Sequence, residues 1–274
     1  MVLNLDLIEE QIIIQDTARR FAKTELEPVA ARLDQEGDRE TFLKNLRKLA
    51  ELGLMGINVK SEYGGSEAGV VAFSLAVTEI ARACASTAVT LSVNNMVCEV
   101  IQAVGSEEQK MVYIPKICSG EYYAGGFGLT ETVAGSDAAA LKASAILEGN
   151  EWVLNGSKMF ITSAEYAGVF VVWAVTDKGA KKGSGISTFL VENGVPGLTI
   201  GREEHNEDAS PRCRERLRAE DMGLAGIRTG RHRAFHHLGH SLGGWDTDTS
   251  RQRAGVLPAA LWQRRWPPNS DPRA

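Results

Sequence analysis

The hydrophobic period of this chain changes once, near Gly120, and that change constrains its fold more than any other feature. Before it, apolar residues recur at helical spacing. Leu7, Ile8, Ile12, Ile14, Ala18 and Phe21 mark a first helix, started by a capping-box-like Asp6 and Glu9 and ended or kinked at Pro28. Phe42, Leu43, Leu46 and Leu49 mark a second, over 39–52, that stops at Gly53. An Ala-rich apolar stretch from Val70 to Val104 predicts one or two buried helices, and a short helix is expected from Ser106 to Ile117. After Gly120 the apolar runs are short and β-branched: 143–147, 151–154, 158–162, 169–176, 186–192 and 198–200. Turn residues separate them, among them Gly149-Asn150, Asn155-Gly156 and Asn193-Gly194. Helices followed by strands predict an α+β fold with a helical N-terminal domain over 1–120 and a small antiparallel β-domain over 121–205, not alternating βαβ units.

A second discontinuity lies near Asn206. Residues 1–206 carry 18 Lys+Arg against 27 Asp+Glu, a net charge of −9. Residues 207–274 carry 12 Arg, no Lys and 8 acidic residues, a net of +4. Leu, Ile, Val and Phe make up 58 of the first 206 residues but 9 of the last 68, too few for an ordinary packed domain. Residues 206–274 are therefore expected to be an aberrant, disordered tail, with an out-of-frame reading from about Asn206 as its origin. The overall net charge of −5 describes neither part.

Several function classes fall away. No apolar run approaches the length of a membrane span. Cys84, Cys98, Cys118 and Cys213 form no CxxC pair, and the first two sit in apolar helical stretches, as buried reduced thiols do. The N-terminus shows neither a basic secretory n-region nor an Arg-rich amphipathic leader, so a cytoplasmic protein is expected. The tail holds His232, His236 and His240 at four-residue spacing near Cys213, but this pattern reads as chance and not as a metal face. Its Arg residues are interleaved with acids and form no organised nucleic-acid face.

The segment with chemical content is Phe127-Gly128-Leu129-Thr130-Glu131-Thr132-Val133-Ala134-Gly135-Ser136-Asp137. Gly125, Gly126, Gly128 and Gly135 would let backbone approach a ligand closely. Consecutive backbone N–H groups in such a loop can cradle an oxygen, and Thr130 and Ser136 add hydroxyls. A plain Gly-rich connector between helices and sheet is the competing explanation. The pattern Gly-Leu-Thr-Glu-x-x-Ala-Gly-Ser-Asp resembles the first signature of the FAD-dependent acyl-CoA dehydrogenases. Gly156-Ser157-Lys158-Met159-Phe160-Ile161-Thr162-Ser163 resembles a second motif of that family, except that Ser163 stands where the family has Asn. The opening helix, Glu62-Tyr63-Gly64-Gly65 and Gly201-Arg202-Glu203-Glu204-His205 are also similar, in order, so the likeness spans about 4–205.

The resemblance implies a helical domain, a β-domain and a C-terminal helical bundle, with FAD between the last two. It implies that Phe127, Leu129 and Thr130 face the isoalloxazine ring, that Phe160 packs on it and that Thr162 stands near N5. Ser136 would reach both the FAD phosphates and the pantetheine arm of an acyl-CoA substrate, and Glu131 would brace the loop. Residues 91–96 are candidates for lining the acyl pocket or for plain core. The family reaction takes an α-proton with a carboxylate and moves a β-hydride to flavin, giving a trans-2-enoyl-CoA. An electron-transfer flavoprotein is the implied electron acceptor, and a homo-oligomer, impaired here, the implied assembly. No counterpart of the base-bearing bundle is recognisable after residue 205, so no catalytic residue is assigned. This chain is expected to bind FAD weakly or not at all and to turn over no acyl-CoA. A same-fold flavin monooxygenase fragment and a non-catalytic residual fragment are the alternatives.

Overall fold

The computed structural model describes residues 6–181, 183–203, 219–230 and 234–235. The helical part comprises α1 (Glu9–Phe21), α2 (Ala30–Gln35), α3 (Arg39–Glu51), α4 (Gly69–Ala83), α5 (Ala85–Val104) and α6 (Glu107–Cys118). The α1 start differs from the sequence reading: Ile8 is the cap residue, and its N–H donates to Gln11 Oε1 at 3.2 Å, so Asp6 and Glu9 do not form the box. The helix gives way to a wider turn at 22–26, before Pro28. Asp38 caps α3 by accepting from Thr41 N at 3.1 Å, and Gly53, at φ +73°, ends the segment. The apolar stretch 70–104 is split by Cys84 in extended conformation. Among the described residues no helix is long and apolar enough to cross a membrane.

The eight described strands form a single sheet: β1 (Ala124–Gly128), β2 (Ser144–Glu148), β3 (Glu151–Thr162), β4 (Ala167–Val175), β5 (Ile186–Glu192), β6 (Leu198–Glu203), β7 (Ala219–Gly230) and β8 (Ala234–Phe235). The order is β6-β7-β3-β2-β4-β5-β8, and β1 joins β4 in parallel. Most pairs are antiparallel, as expected, but β1–β4 and a single β2–β4 contact are parallel. Three buried clusters form the core. One lies among the helices, one joins α5 and α6 to β4, and one fills the sheet interior around Phe170, Phe189 and Met222.

Two sequence expectations need correction. Asn155-Gly156 is not a turn, because β3 runs unbroken through it. The β3–β7 register shifts between Leu154 and Asn155, Gly156 follows at φ +147°, and a Cβ there would stand 2.6 Å from that of Ala143. The sheet also does not stop at residue 205. β7 pairs with β3 over most of its length and with β6 on its other side, burying Met222, Leu224 and Ile227. A local run of inward side chains with two strand partners forms structure whatever the average composition of 206–274. The His232, His236, His240 and Cys213 cluster lies outside the described residues.

Candidate functional site: a latched loop beside a strand bulge

The chain enters the site from α5. Asn94 is fully buried; its Oδ1 accepts Gly125 N–H at 2.8 Å and its Nδ2 donates to Met55 O at 3.1 Å. Asn95 accepts Ile57 N–H at 2.6 Å and donates to Leu54 O and Leu91 O. Leu91 and Asn95 thus belong to the core and bracing of the helical part, Asn94 ties that part to β1, and only Met96 of this group is appreciably exposed.

β1 delivers Phe127 against Trp173, with ring centroids 4.5 Å apart. Leu129 and Thr130 follow, half-buried. The chain then folds back in a turn in which Glu131 N donates to Ala134 O at 3.0 Å and Ala134 N to Glu131 O at 3.1 Å. The buried Glu131 carboxylate accepts from Lys158 Nζ at 2.7 Å, Lys142 N at 2.7 Å and Ala143 N at 3.1 Å. Lys158 Nζ also donates to Leu129 O at 3.2 Å. Burial lowers the Lys158 pKa, and hydrogen bonding to Glu131 works against that shift. Glu131 therefore braces the loop, as the resemblance implies, and its oxygens are committed.

Phe160 and Thr162 lie on the strand facing this loop. Between Lys158 and Ile161 the β3–β7 register shifts, and Met159 N donates to Thr130 O at 3.0 Å. Phe160 sits in the bulge at φ +58°, and 55% of it is exposed. A bulky residue held on a left-handed backbone costs roughly 1–3 kcal/mol. Phe160 is thus not an inward strand residue. Thr162 is half-buried and paired with Ala219. Ser163 follows, buried at φ +66°, with its hydroxyl 3.3 Å from that of Thr90.

The glycines divide by cause. A Cβ on Gly125 would stand 2.6 Å from Val97 Cγ1, one on Gly126 2.7 Å from Phe170 Cε1, and one on Gly128 3.0 Å from Met222 Cε. These three answer to packing inside the protein, not to ligand approach. A Cβ on exposed Gly135 would meet nothing within 4 Å among the described residues, and its φ is not in the left-handed range. Neither conformation nor these neighbours require glycine there; a group approaching from outside would. Ser136, beside it, is exposed.

The structure therefore joins Leu129, Thr130 and Glu131 directly to Lys158 and Met159, with Phe160 next in the chain. Phe127 stands on the Trp173 side, and Ser136 on the loop's outer limb. The sequence places Lys158 only within the second motif, without a role of its own; its being the one cation of the strand 151–162 was the signal. A separate cleft of about 620 Å³ between α1 and the turn at 52–57 contains none of these residues. No group of three or more His, Cys, Asp or Glu suited to a metal occurs among the described residues.

A helical layer on a mixed sheet, with a Gly-rich loop latched to a bulged strand, defines a class of architecture. Comparisons with known proteins give it a family. The models described as acyl-CoA dehydrogenase, N-terminal domain, and acyl-CoA dehydrogenase, middle domain, match residues 8–121 and 126–221. The chain belongs to the acyl-CoA dehydrogenase family. It is 38% identical over 222 residues to the short-chain specific acyl-CoA dehydrogenase of Clostridium acetobutylicum, which covers 80% of this chain and 57% of that one. It superposes with a TM-score of 0.77 and 35% identity on a chain from the structure of the electron transferring flavoprotein of Acidaminococcus fermentans, covering 85% of this chain and 59% of that one. The acyl-CoA dehydrogenase of Bacillus anthracis complexed with FAD gives a TM-score of 0.76 at 29% identity, over 87% and 40% of the two chains. The chain spans about half the length of the curated relatives it matches.

Proposed function

We propose that residues 124–163 form one wall of an FAD site and that the protein acts in the α,β-dehydrogenation of an acyl-CoA thioester. The observation that carries this reading is Phe160: an exposed aromatic ring on a left-handed backbone, beside the loop whose Gly135 leaves open space. These features fit a planar aromatic ligand with an anionic arm. Phe160 offers the ring face, Thr130 and Thr162 offer hydroxyls, and Gly135 with Ser136 offers room and a donor for phosphate or pantetheine oxygens. FAD, when bound, supplies the hydride acceptor. This chain's residues orient it, exclude water from one face and place donors at its polar edge.

α-Proton removal needs a free carboxylate within reach of the substrate carbon. Glu131 does not qualify, because it holds Lys158 and two backbone amides. The wall over 124–163 thus supplies no α-proton base of its own; its part in the dehydrogenation is to hold the flavin, and this chain by itself is expected to hold FAD weakly and to leave acyl-CoA unchanged. An electron-transfer flavoprotein is the proposed electron acceptor. A reducing compartment such as the cytoplasm suits Cys84, Cys98 and Cys118, which are buried thiols outside any disulfide. The test is twofold. FAD fluorescence should be quenched saturably by the purified chain, and butyryl-CoA with a dye acceptor should give no turnover. Steady turnover would overturn the second statement, and absence of any saturable quenching the first.

A further inference from the structure

Lys158 is the one Lys among the largest fully buried side chains of the described residues, and it lies in a strand that a Leu or Met would fill at less desolvation cost. Replacing a buried ion pair by apolar residues is often neutral or stabilising, so stability alone gives weak reason for the pair. Its reach is more informative. Lys158 Nζ touches Leu129 O at the end of β1 and Glu131 in the turn. Through that carboxylate it is tied to Lys142 N and Ala143 N, just before β2. One ammonium therefore fastens both limbs of the loop to the bulged strand.

The bulge and the latch also depend on each other. Met159 N–H donates to Thr130 O, and Phe160 takes up the left-handed turn within the same register shift. If β3 straightened, Phe160 would relax to extended backbone and Met159 N–H would leave the loop. The ion pair holds the alternative that carries the strain.

We propose that Lys158 and Glu131 are a positioning pair: they hold the loop against β3 so that the Phe160 ring and the Thr130 segment are presented together before any ligand arrives. The flavin role of this presentation rests on the reading above, whereas the latch itself does not.

The test uses the whole chain and Lys158→Met, which keeps the side-chain length and removes the charge. Glu131→Gln is the second variant should the first not fold. Leu46→Ala, in the helical core, is a control that lowers stability elsewhere. Hydrogen exchange is read without flavin at Met159 N–H, relative to Val191 N–H, which lies opposite Phe170 in a hydrogen-bonded pair of the β4–β5 ladder. The pair variant should lower the protection of Met159 relative to Val191 by about tenfold, the ratio that 1.4 kcal/mol produces. The control should leave that ratio unchanged. FAD titration by fluorescence quenching should show affinity weakened by a similar factor, about tenfold, in the pair variant and not in the control. An unchanged Met159 ratio overturns the latch. A lowered ratio with unchanged FAD affinity overturns the positioning role and leaves a structural staple. Should the unmodified chain show no saturable FAD binding, the flavin reading fails, and the exchange ratio alone still decides the latch.

Discussion

Substituting Gly126 and Gly135 by alanine separates the two reasons this region has for glycine. At Gly126 the new methyl would overlap Phe170 Cδ1 and stand 2.7 Å from Cε1, against a carbon–carbon contact distance of about 3.5–4.0 Å. Phe170 is fully buried in β4, directly opposite Gly126 in β1 and Val191 in β5. The ring or β1 must therefore move by more than about 1 Å in a close-packed interior. Overpacking of that kind costs about 1–3 kcal/mol, and the lower entropy of the unfolded chain returns about 0.4–1 kcal/mol. The expected net loss is about 1–2 kcal/mol. At Gly135 no neighbour stands within 4 Å, so only the unfolded-state gain of about 0.4–1 kcal/mol remains. The two variants should differ by about 2 kcal/mol, or about 1 M in urea midpoint at an m value of about 2 kcal/mol/M. Phe170→Leu should recover part of the Gly126→Ala loss and none of any Gly135→Ala effect. Equal midpoints for the two alanine variants would refute the assignment of Gly126 to packing and Gly135 to an outside group.

Three further outcomes are expected. Asn94→Ala strands the buried Gly125 N–H and Met55 C=O at about 1–3 kcal/mol each, and thermal unfolding should show the helical layer and the sheet melting apart or together at markedly lower temperature. An unchanged Tm would remove Asn94 as a brace. Glu79 is buried, and its carboxyl is held below the ordinary carboxylate range chiefly by the Arg19 guanidinium at 3.0 Å, with Arg82 and Gln15 assisting. A depressed folded-state pKa stabilises the fold above the unfolded value of about 4.3 and ceases to do so as pH falls through the folded value. Stability should therefore decline on acidification below that range, and Glu79→Gln should flatten the decline; identical pH profiles would contradict the assignment. The middle-domain match reaches residue 221 and β7 joins the sheet along β3, so a change of frame is expected beyond codon 221 and not at codon 206; sequencing the coding DNA checks this, and another frame that continues the family sequence from codon 206 would contradict it.

Much of the fold was legible because the period of the apolar residues is a local property. Phe42, Leu46 and Leu49 announce α3 by themselves, and Gly53 announces its end. β7 was not legible for the opposite reason. Its inward residues Met222, Leu224 and Ile227 lose their alternation where β3 shifts register against it, and its partners β3 and β6 lie far back in sequence. Asn155-Gly156 misled in the same way, since a bulge and a hairpin turn use the same residues.

The site was legible as a motif but not as a mechanism of positioning. Glu131 was read as a brace, yet its partner Lys158 looked like an ordinary strand residue until its ammonium was seen buried. Three of the four glycines read as ligand-facing turned out to face Val97, Phe170 and Met222. Those close approaches arise from tertiary packing of α5, β4 and β7 on β1, which a linear pattern does not record.

The central claim is that the bulge carrying Phe160 and the loop carrying Gly135 make one wall of a flavin site. Titrating FAD with the purified chain and with Phe160→Ala, and following the quenching of flavin fluorescence, tests it directly. The account predicts saturable, weak binding by the chain and a clear further loss in the variant, with the fold of both unchanged by circular dichroism. No saturable quenching by the chain, or equal affinity in the variant, would contradict it.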